Sequence, residues 1–495
     1  MSILGKLTVI ISLLIVLALL PLLGFMLIFE YWHNFYIVST IMLLLLVFMI
    51  ISRRLSITDA NLYFLVFFVT YQIVIPYLYL HNIAWVVGGE FFIFNWRLAS
   101  VGNVFSICGI LTYMFCMEIA RVTVPKQSIS KQNNLMLTTK TAQSLTPVYL
   151  AIAIISWFVL YLFSNMPAEV FFGITPHSRY RGLFYELFGH GYIIALTFGG
   201  VLSLLMFTIS FKHKSVFSFK FILFYYSILV LNAFDGSRLI VFMAPVSAYM
   251  LNFLNRKQNA IKDLEWDEAK KLIKLLIIFC CFFLLSTFYG QYRAGLGFFN
   301  LIIKDIYDLK SFFASSFIYY IANTFDTAIT YYMVLDTVPE TIDYWYGKSF
   351  LSPILVRIPT ALFPEKYEFI WASQKFTLLF YGYDQYDPDT VSRGAGFFAE
   401  MYLNFGLFGI IVAMGLFGWC NERFSNIANR KNGSNLFNVF YVIYICYFQL
   451  YVFKSGFCSA ITFIDFKLIY LFLIIWSVRM IKLPVSTKVR LAYKR

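Results

Sequence analysis

Arginine is the residue type whose placement in this chain most strongly suggests chemistry. Guanidinium groups stand at the ends of long apolar segments, at Arg179, Arg181, Arg238, Arg293 and Arg393. An arginine at the centre of a bilayer costs roughly 2.5 to 3.5 kcal/mol, and less near its surface. Because a guanidinium is planar, stays charged and donates two parallel hydrogen bonds to phosphoryl oxygens, the group predicts a pyrophosphate site. Taken singly, each arginine is explained as well by an interfacial anchor or a local ion pair, such as Arg238 with Asp235.

Several carboxylates and histidines near these arginines are candidates for proton transfer. They are Glu400, Asp384, Asp387, Asp389, His177 and His190. Glu400 lies in an apolar segment, where a charged carboxylate is costly unless it is paired, and Arg393 is the expected partner. Structural pairing and catalysis both remain open for it. Further candidates for substrate binding are Tyr292, Arg357 and Lys454.

Metal and cofactor chemistry is not expected. The aspartates of YDQYDPDT have a spacing like that of a metal loop, but the proline makes a solvated turn an equally good explanation. The seven cysteines form no CxxC pair and lie in or beside apolar runs, so neither a disulfide framework nor a metal site is predicted. P-loop, HExxH, GxSxG and dinucleotide-binding signatures are absent from the sequence.

The elements that position these residues are predicted to be membrane-spanning helices. Of the 495 residues, 60% are hydrophobic and 13% charged, and the mean hydropathy is +0.75. A soluble globule needs more polar surface, so lipid is the expected solvent. Apolar runs are long enough to cross about 30 Å of hydrocarbon as helices. About twelve spans are predicted, near 7–29, 35–52, 62–80, 99–119, 147–163, 192–210, 221–234, 239–254, 274–290, 399–419, 436–453 and 462–480.

Charge predicts the orientation of these spans. With both termini cytoplasmic, roughly two thirds of the 39 Lys and Arg fall inside and most of the 25 Asp and Glu outside. The run 7–29 is read as a retained first helix. The net charge of +14 is then explained by the topology and by attraction to anionic lipid, and no nucleic-acid partner is expected. Under this orientation the arginines described above lie on the outer, periplasmic side.

One segment interrupts the regular alternation of spans. Residues 291–398, between the ninth and tenth spans, are predicted to form a large periplasmic loop subdomain within a single integral membrane domain of residues 1–495. Its apolar piece, 312–335, is interrupted by Asn323 and Asp326. We expect this piece to lie on the membrane or dip into it. The loop also contains Tyr344, Trp345, Tyr346 and Trp371, which could stack on sugar rings or form an interfacial aromatic belt.

Four motifs stand between residues 236 and 409: Gly236-Ser237-Arg238, Tyr292-Arg293 with Gly295, PTALFP at 359–364, and RGAGFFAEMYLNFGLFG at 393–409. Together they resemble the Wzy family of O-antigen and enterobacterial common antigen polymerases. The resemblance lies mainly in residues 230–420 and in the predicted number of helices. It implies an all-α, GT-C-like polytopic membrane protein of the bacterial inner membrane.

The resemblance also implies a reaction. A metal-independent glycosyltransferase would move a growing glycan from undecaprenyl pyrophosphate onto one lipid-linked repeat at the periplasmic face, releasing the lipid pyrophosphate. By family analogy Arg238, Arg293 and Arg393 would be functional, and a Wzz-type chain-length regulator would be a partner. No NTP is available outside the cell, so the lipid pyrophosphate must be the leaving group.

Two alternatives remain at the level of sequence. An O-antigen ligase would carry a functional histidine in its large outer loop, yet the histidines here, His33, His81, His177, His190 and His213, all lie outside 291–398. A flippase or transporter would show internal repeats and charges at mid-membrane, and neither is prominent. The polymerase is therefore the preferred interpretation.

Overall fold

The computed structural model describes residues 30–52, 58–81, 94–123, 139–164, 198–210, 238–257, 327–355, 394–429 and 435–462, together with isolated residues between 21 and 28 and between 358 and 379. Within these ranges all regular structure is helical. The helices, in chain order, are α1 (Trp32–Ile51), α2 (Ala60–Leu80), α3 (Trp96–Val122), α4 (Thr139–Ser164), α5 (Gly199–Ser210), α6 (Arg238–Lys257), α7 (Thr327–Thr337), α8 (Ser352–Leu355), α9 (Phe397–Ala428) and α10 (Asn435–Ser455).

Five of these helices are long and apolar enough to cross a membrane: α1, α2, α3, α9 and α10. Large apolar side chains such as Phe48, Phe115 and Phe408 remain exposed on their outer faces. Other apolar side chains of the same helices are fully buried, so each helix is apolar around its whole circumference. A multi-pass helical membrane protein, as predicted, is confirmed. Twelve spans and the placement of the long loop stay predictions.

The long helix α9 is used to define the two ends of the bundle. Helix α3 packs beside it and runs in the same direction. Phe105 of α3 stacks on Tyr402 near the start of α9, while Arg121 pairs with Glu422 near its end. Helix α1 also runs this way, because Ser100 at the start of α3 donates to the Trp32 carbonyl. We call the two ends of the bundle the Glu400 end and the Glu422 end.

Helices α2 and α10 run in the opposite direction and complete the core of the described bundle. Ala60, at the start of α2, lies beside Ser425 and Tyr441 at the Glu422 end. Phe453, near the end of α10, contacts Phe397 and Tyr71 towards the Glu400 end. The relative directions of these helices agree with the predicted alternation of spans.

Part of the predicted outer loop packs inside the bundle. Helix α7 is buried from Thr327 to Val334, and its Tyr331 and Tyr332 lie against Gly102 of α3. A Cβ at position 102 would collide with the Tyr332 ring, so glycine allows the close approach. Helix α7 thus covers the last part of the apolar piece 312–335. It is buried among the spanning helices at the Glu400 end.

Observed and predicted helix limits agree within a few residues for most of the described helices. The exceptions are α4, predicted to begin near 147, which begins at Thr139, and α9, predicted to end near 419, which continues to Ala428. Arg423, beyond the predicted end of the span, therefore lies on a helix. The hydropathy signal ended early because the last turns of α9 carry polar side chains that face protein partners. The predicted spans 221–234 and 274–290 lie outside the described residues.

Candidate functional site

Of the predicted site residues, the structure describes Glu400 and Lys454 completely. Arg238 is the first residue of α6, and only its backbone is described. The other predicted site residues lie outside the described part of the chain: Arg293, Arg393, Asp389, Arg179, Arg181, His177, Tyr292, Arg357, Asp384 and Asp387. Whether the arginines converge therefore stays a prediction.

Glu400 is buried one turn into α9, at the Glu400 end. Its side chain is 5% exposed. The Ser349 hydroxyl donates to its Oε1 at 2.9 Å, and the Cys458 backbone N–H donates to its Oε2 at 3.2 Å. Both of these donors are neutral, and no ion pair to Glu400 is present among the described residues. The expected partner, Arg393, lies outside the described residues.

A break in α9 positions the residues around this carboxylate. Phe405 (φ −143°, ψ 18°) and Gly406 (φ 61°, ψ −148°) leave the helical conformation, so the carbonyls of Leu403 and Asn404 lose their partners in the next turn. The N–H groups of Trp345 and Tyr346 replace those partners at 2.8 and 3.1 Å. The break therefore docks the 345–347 segment onto α9.

Asn404 connects this docked segment to Glu400. Its Oδ1 accepts from the Gly347 N–H at 3.0 Å. Its Nδ2 donates to the Ser349 Oγ at 2.8 Å and to the Glu400 carbonyl at 2.7 Å. Because Asn404 donates to Ser349, the serine hydroxyl is free to donate onward to the carboxylate. Ser349, Glu400, Asn404 and Cys458 form one buried polar group, the Glu400 cluster.

Glycines bring the end of α10 against the start of α9. Gly456 has φ 95°, and a Cβ there would collide with Glu400 Oε2. Gly394 packs so closely that a Cβ would collide with the Ser455 backbone, and the next residue but one, Gly396, has φ 72°. The Thr330 hydroxyl of α7 donates to the Ala395 carbonyl at 2.6 Å. Three elements therefore converge on the RGAG motif.

Lys454 stands beside this convergence. It is half-buried in the last turn of α10, and its carbonyl lies 2.8 Å from where a Gly394 Cβ would be. Arg393 is the residue before Gly394 in the sequence. Lys454 therefore lies next to Gly394, in the segment that connects Arg393 with Glu400 in the sequence.

An apolar groove of about 690 Å³ runs along α9, and the four residues of the Glu400 cluster are not among its lining residues. At one end it is lined by Phe350, Met401 and Phe457, the sequence neighbours of Ser349, Glu400 and Cys458. At the other end it reaches Phe424 and Phe440. From 401 to 424 a helix rises on the order of 30 Å, which matches the hydrocarbon thickness of a bilayer. The groove can hold a long apolar chain whose polar end lies at the cluster.

The predicted stacking aromatics differ in exposure. Tyr346 is 72% exposed and has φ 47°, so its ring is available to a ligand. Trp345 is 3% exposed and packs in the core, and the prediction that it stacks on sugar is not supported by its position. Tyr344 lies between Tyr402 and Tyr346, with ring centroids 6.1 Å from each.

A second polar group lies at the Glu422 end, and sequence reasoning missed it. Glu422 accepts from Arg121 Nε at 2.9 Å, from Asn61 Nδ2 at 3.2 Å and from Asn426 Nδ2 at 3.2 Å. Asp59 caps α2, accepting from the Asn61 N–H at 2.9 Å. The signal that could have identified it is the polar series Asp59, Asn61, Asn421, Glu422 and Ser425, which stands just outside the predicted spans 62–80 and 399–419.

The same network continues through tyrosine and glutamine side chains. Tyr113 donates to Asn61 and Asn421 Nδ2 donates to the Tyr113 oxygen at 2.9 Å. Gln449 of the π-helical stretch in α10 donates to Asn421 Oδ1 at 2.9 Å. Burial raises the pKa of the Asp59 carboxyl, an effect that the hydrogen bonds from Asn61 oppose and the nearby Glu422 carboxylate strengthens. This network joins α2, α3, α9 and α10.

Neither polar group has the composition of a metal site. Within the described ranges, no three His, Cys, Asp or Glu side chains come together in a way that could hold a metal ion. The Asp384, Asp387 and Asp389 series lies outside those ranges. The chemistry that the Glu400 cluster itself can perform is proton acceptance by a carboxylate held among neutral donors.

Comparison with known proteins identifies one family. The family model described as O-antigen polysaccharide polymerase Wzy matches residues 8–483, nearly the whole chain. No curated protein and no solved structure matches the chain. The resemblance expected from the motifs at 236–238, 292–295, 359–364 and 393–409 is confirmed, and the match extends it to the first 145 residues.

Proposed function

The chain belongs to the O-antigen polysaccharide polymerase Wzy family, and from this premise we propose that it joins undecaprenyl-pyrophosphate-linked oligosaccharide repeats at the periplasmic face of a bacterial inner membrane. Membership of the family makes the chain a multi-pass membrane polymerase of O-antigen biosynthesis that acts on lipid-linked repeat units. The carrier, the side of the membrane, the absence of a catalytic metal and partnership with a Wzz-type regulator belong to the proposal.

The observation that carries the proposal is the junction between the Glu400 cluster and the apolar groove. Ser349, Glu400 and Cys458 are polar, and each is followed or preceded in the chain by a side chain that lines the groove. A substrate with a polar head and a long apolar tail fits such a junction, because the tail is buried along α9 while the head meets the carboxylate. A polyprenyl-linked glycan has this shape.

The proposed reaction breaks the bond between the anomeric carbon of the donor glycan and a pyrophosphate oxygen. A hydroxyl oxygen of the acceptor repeat forms the new glycosidic bond to that carbon. The hydroxyl proton passes to a base, for which Glu400 is the proposed group, and the electron pair of the broken bond leaves with undecaprenyl pyrophosphate. No oxidant or nucleotide is consumed.

Cations are needed where the negative charge of the departing pyrophosphate grows. Fixed donors aimed at a developing charge are often the largest single contribution to catalysis. We assign this role to Arg238, Arg293 and Arg393. Lys454 lies beside Gly394, the residue that follows Arg393, and is proposed to bind substrate. Arg179, Arg181, His177, Tyr292, Arg357, Asp384 and Asp387 are proposed to contact the substrate headgroup and sugars. Asp389 is proposed as a further catalytic residue in addition to Glu400.

Reconstitution tests the proposal directly. In vesicles that contain undecaprenyl-pyrophosphate-linked repeats and EDTA, the protein is expected to make a glycan ladder and release undecaprenyl pyrophosphate. Loss of one charge-stabilising donor costs about 2.7 to 4 kcal/mol, so Arg238→Ala and Arg293→Ala should each lower the rate about 100-fold or more. Arg54→Ala, predicted to lie on the cytoplasmic side, is the matched control. Unchanged chain length in both arginine variants would contradict the pyrophosphate role.

A further inference from the structure

A second cavity opens at the Glu400 end, where α1 and α3 begin side by side. Its volume is about 450 Å³, within the roughly 300 to 1,000 Å³ typical of small-molecule sites. It is lined by two indoles, an imidazole, a phenol, two amides and a pair of opposite charges. These belong to Trp32, Trp96, His33, Tyr31, Asn34, Asn95, Glu30 and Arg97.

The two indoles of this cavity are held in place. Trp96 meets the edges of His33 and His81, with ring centroids 4.5 and 5.7 Å away, and of Tyr36 at 5.5 Å. One serine, Ser100, donates to both the Trp32 and the Trp96 carbonyls, at 3.1 and 2.7 Å. Both indoles are half-buried. Each therefore presents part of its ring to the cavity from a fixed backbone.

The polar groups around the indoles remain accessible. Asn34, Asn95 and Arg97 are exposed, and so is Glu30, whose φ of 55° is uncommon for a residue other than glycine. Amides, a carboxylate and a guanidinium offer both donors and acceptors, although the Asn95 Oδ1 already accepts from the Leu98 N–H. An aromatic face takes the apolar C–H face of a pyranose, and the polar groups take its hydroxyls. A lipid tail alone would not need this polar set.

The cavity is connected by packing to the Glu400 cluster. Phe94, just before α3, contacts Tyr332 with ring centroids 4.8 Å apart. Tyr332 contacts Tyr331 at 5.2 Å, and Tyr331 contacts Phe398 of α9 at 5.5 Å. Phe398 lies two residues before Glu400. The cavity and the proposed reaction centre thus lie at the same end of the bundle, and a series of packed aromatic rings runs between their sequence neighbours Phe94 and Phe398.

We propose that this cavity is a saccharide subsite that binds sugar residues of the lipid-linked glycan away from the bond that reacts. The inference rests on the proposed function, because it takes an oligosaccharide as the ligand. A subsite distant from the reacting bond holds ground state and transition state equally, so its loss raises KM and leaves kcat nearly unchanged.

The test measures binding of two separate probes to the full-length protein. The first probe is the free oligosaccharide repeat released from its lipid by mild acid, and the second is undecaprenyl pyrophosphate without sugar. Trp96→Ala and Arg97→Gln are expected to weaken binding of the oligosaccharide about tenfold and about threefold, and to leave binding of the lipid pyrophosphate unchanged. Trp96→Phe keeps an aromatic face and should retain most of the affinity. Phe115→Ala, an exposed apolar side chain elsewhere on α3, is the matched control.

Each outcome decides between the two proposals. Normal polymerisation by the wild type, with equal oligosaccharide affinity in Trp96→Ala, Arg97→Gln and Phe115→Ala, would overturn the subsite alone. A loss of binding to phosphatidylglycerol vesicles in Arg97→Gln, without loss of oligosaccharide binding, would assign the residues to the lipid surface instead. A wild-type protein that neither polymerises nor binds the repeat would overturn the proposed function and the subsite with it. Because Trp96 packs against three rings, Arg97→Gln, an exposed change, keeps the test valid if Trp96→Ala does not fold.

Discussion

The two ends of α9 each bury a glutamate, and the surroundings of these glutamates differ. Glu422 has a cation, Arg121, at 2.9 Å, and two amide donors besides. Glu400 has a serine hydroxyl and a backbone N–H, and no cation among the described residues contacts it. A buried carboxylate paired with a guanidinium has a structural role and is not available to accept a proton. One held by neutral donors, whose sequence neighbour Met401 lines a groove, is the candidate to take a proton.

The two polar groups also differ in what surrounds them. The Glu422 network fills the interior between α2, α3, α9 and α10 with hydrogen bonds that run from side chain to side chain. The Glu400 cluster instead adjoins the apolar groove through Phe350, Met401 and Phe457. We infer that the first end fixes the bundle and that the second meets the substrate. Three sets of substitutions test this division, in order of decreasing expected effect.

The largest effect is expected from exchanging the two glutamates for glutamine. Glu400→Gln keeps shape and an acceptor for Ser349 but removes the base, so the polymerisation rate should fall at least about 100-fold, since a general base contributes roughly 10² to 10⁴. Glu422→Gln should leave the rate near that of the wild type and lower stability by about 1 to 3 kcal/mol, because its charge-assisted bond to Arg121 is lost.

Both variants are to be measured by glycan chain length and by thermal unfolding in detergent. A Glu400→Gln protein that makes wild-type glycan would show that Glu400 is a structural residue. A Glu422→Gln protein that is folded but inactive would show that the division between the two ends is wrong.

An intermediate effect is expected from narrowing the groove. Ala413 lines it and is 9% exposed. Ala413→Trp should displace at least two methylene groups of the substrate tail, each worth about 0.8 kcal/mol, and so raise KM about tenfold. A substrate with a short prenyl tail should show no such penalty. Ile41→Trp on the exposed face of α1 is the control, and an equal KM change for short and long tails would exclude the groove as the tail site.

The smallest effect is expected from Asp59, at the Glu422 end. Its folded pKa is raised, so the folded state binds the proton more tightly than the unfolded chain. Its stabilising contribution is present below the ordinary value of 3.8 and is lost as pH rises through the raised folded value. Asp59→Asn should flatten this part of the pH dependence of unfolding and leave polymerisation intact.

Asp59→Ala separates the cap from the charge. It removes the acceptor for the Asn61 N–H and should cost about 0.5 to 2 kcal/mol at every pH, whereas Asp59→Asn keeps that acceptor. An Asp59→Asn protein with the same pH dependence as the wild type would assign that dependence to another group.

The hydropathy of the sequence was enough to locate most of the described helices. Lipid requires each crossing segment to satisfy its own backbone hydrogen bonds, so a run of apolar residues of sufficient length can only be a helix. The family could also be identified from the motifs, and Glu400 could be singled out as a carboxylate in an apolar segment. The rotation of each helix could not be predicted, because these helices are apolar on the lipid face and the core face alike.

The partners of Glu400 show why the site itself was only partly predictable. Ser349 and Cys458 lie 51 and 58 residues away in the sequence, and neither residue type signals a role. Residues 361 and 389 positions apart meet in the other network, where Asn61 donates to Glu422 and Gln449 donates to the Ala60 carbonyl. Contacts between such distant positions depend on how helices pack.

The amino-acid sequence by itself determined the solvent, the helical class and the family, because these follow from local composition and from short motifs. Only the tertiary structure decided that α9 breaks at Phe405 and Gly406, that α7 enters the bundle, and that one glutamate is paired with arginine while the other is held by neutral donors. The physical reason is that the helices of a membrane bundle associate through packing and hydrogen bonds between side chains far apart in the chain, and hydropathy does not record these.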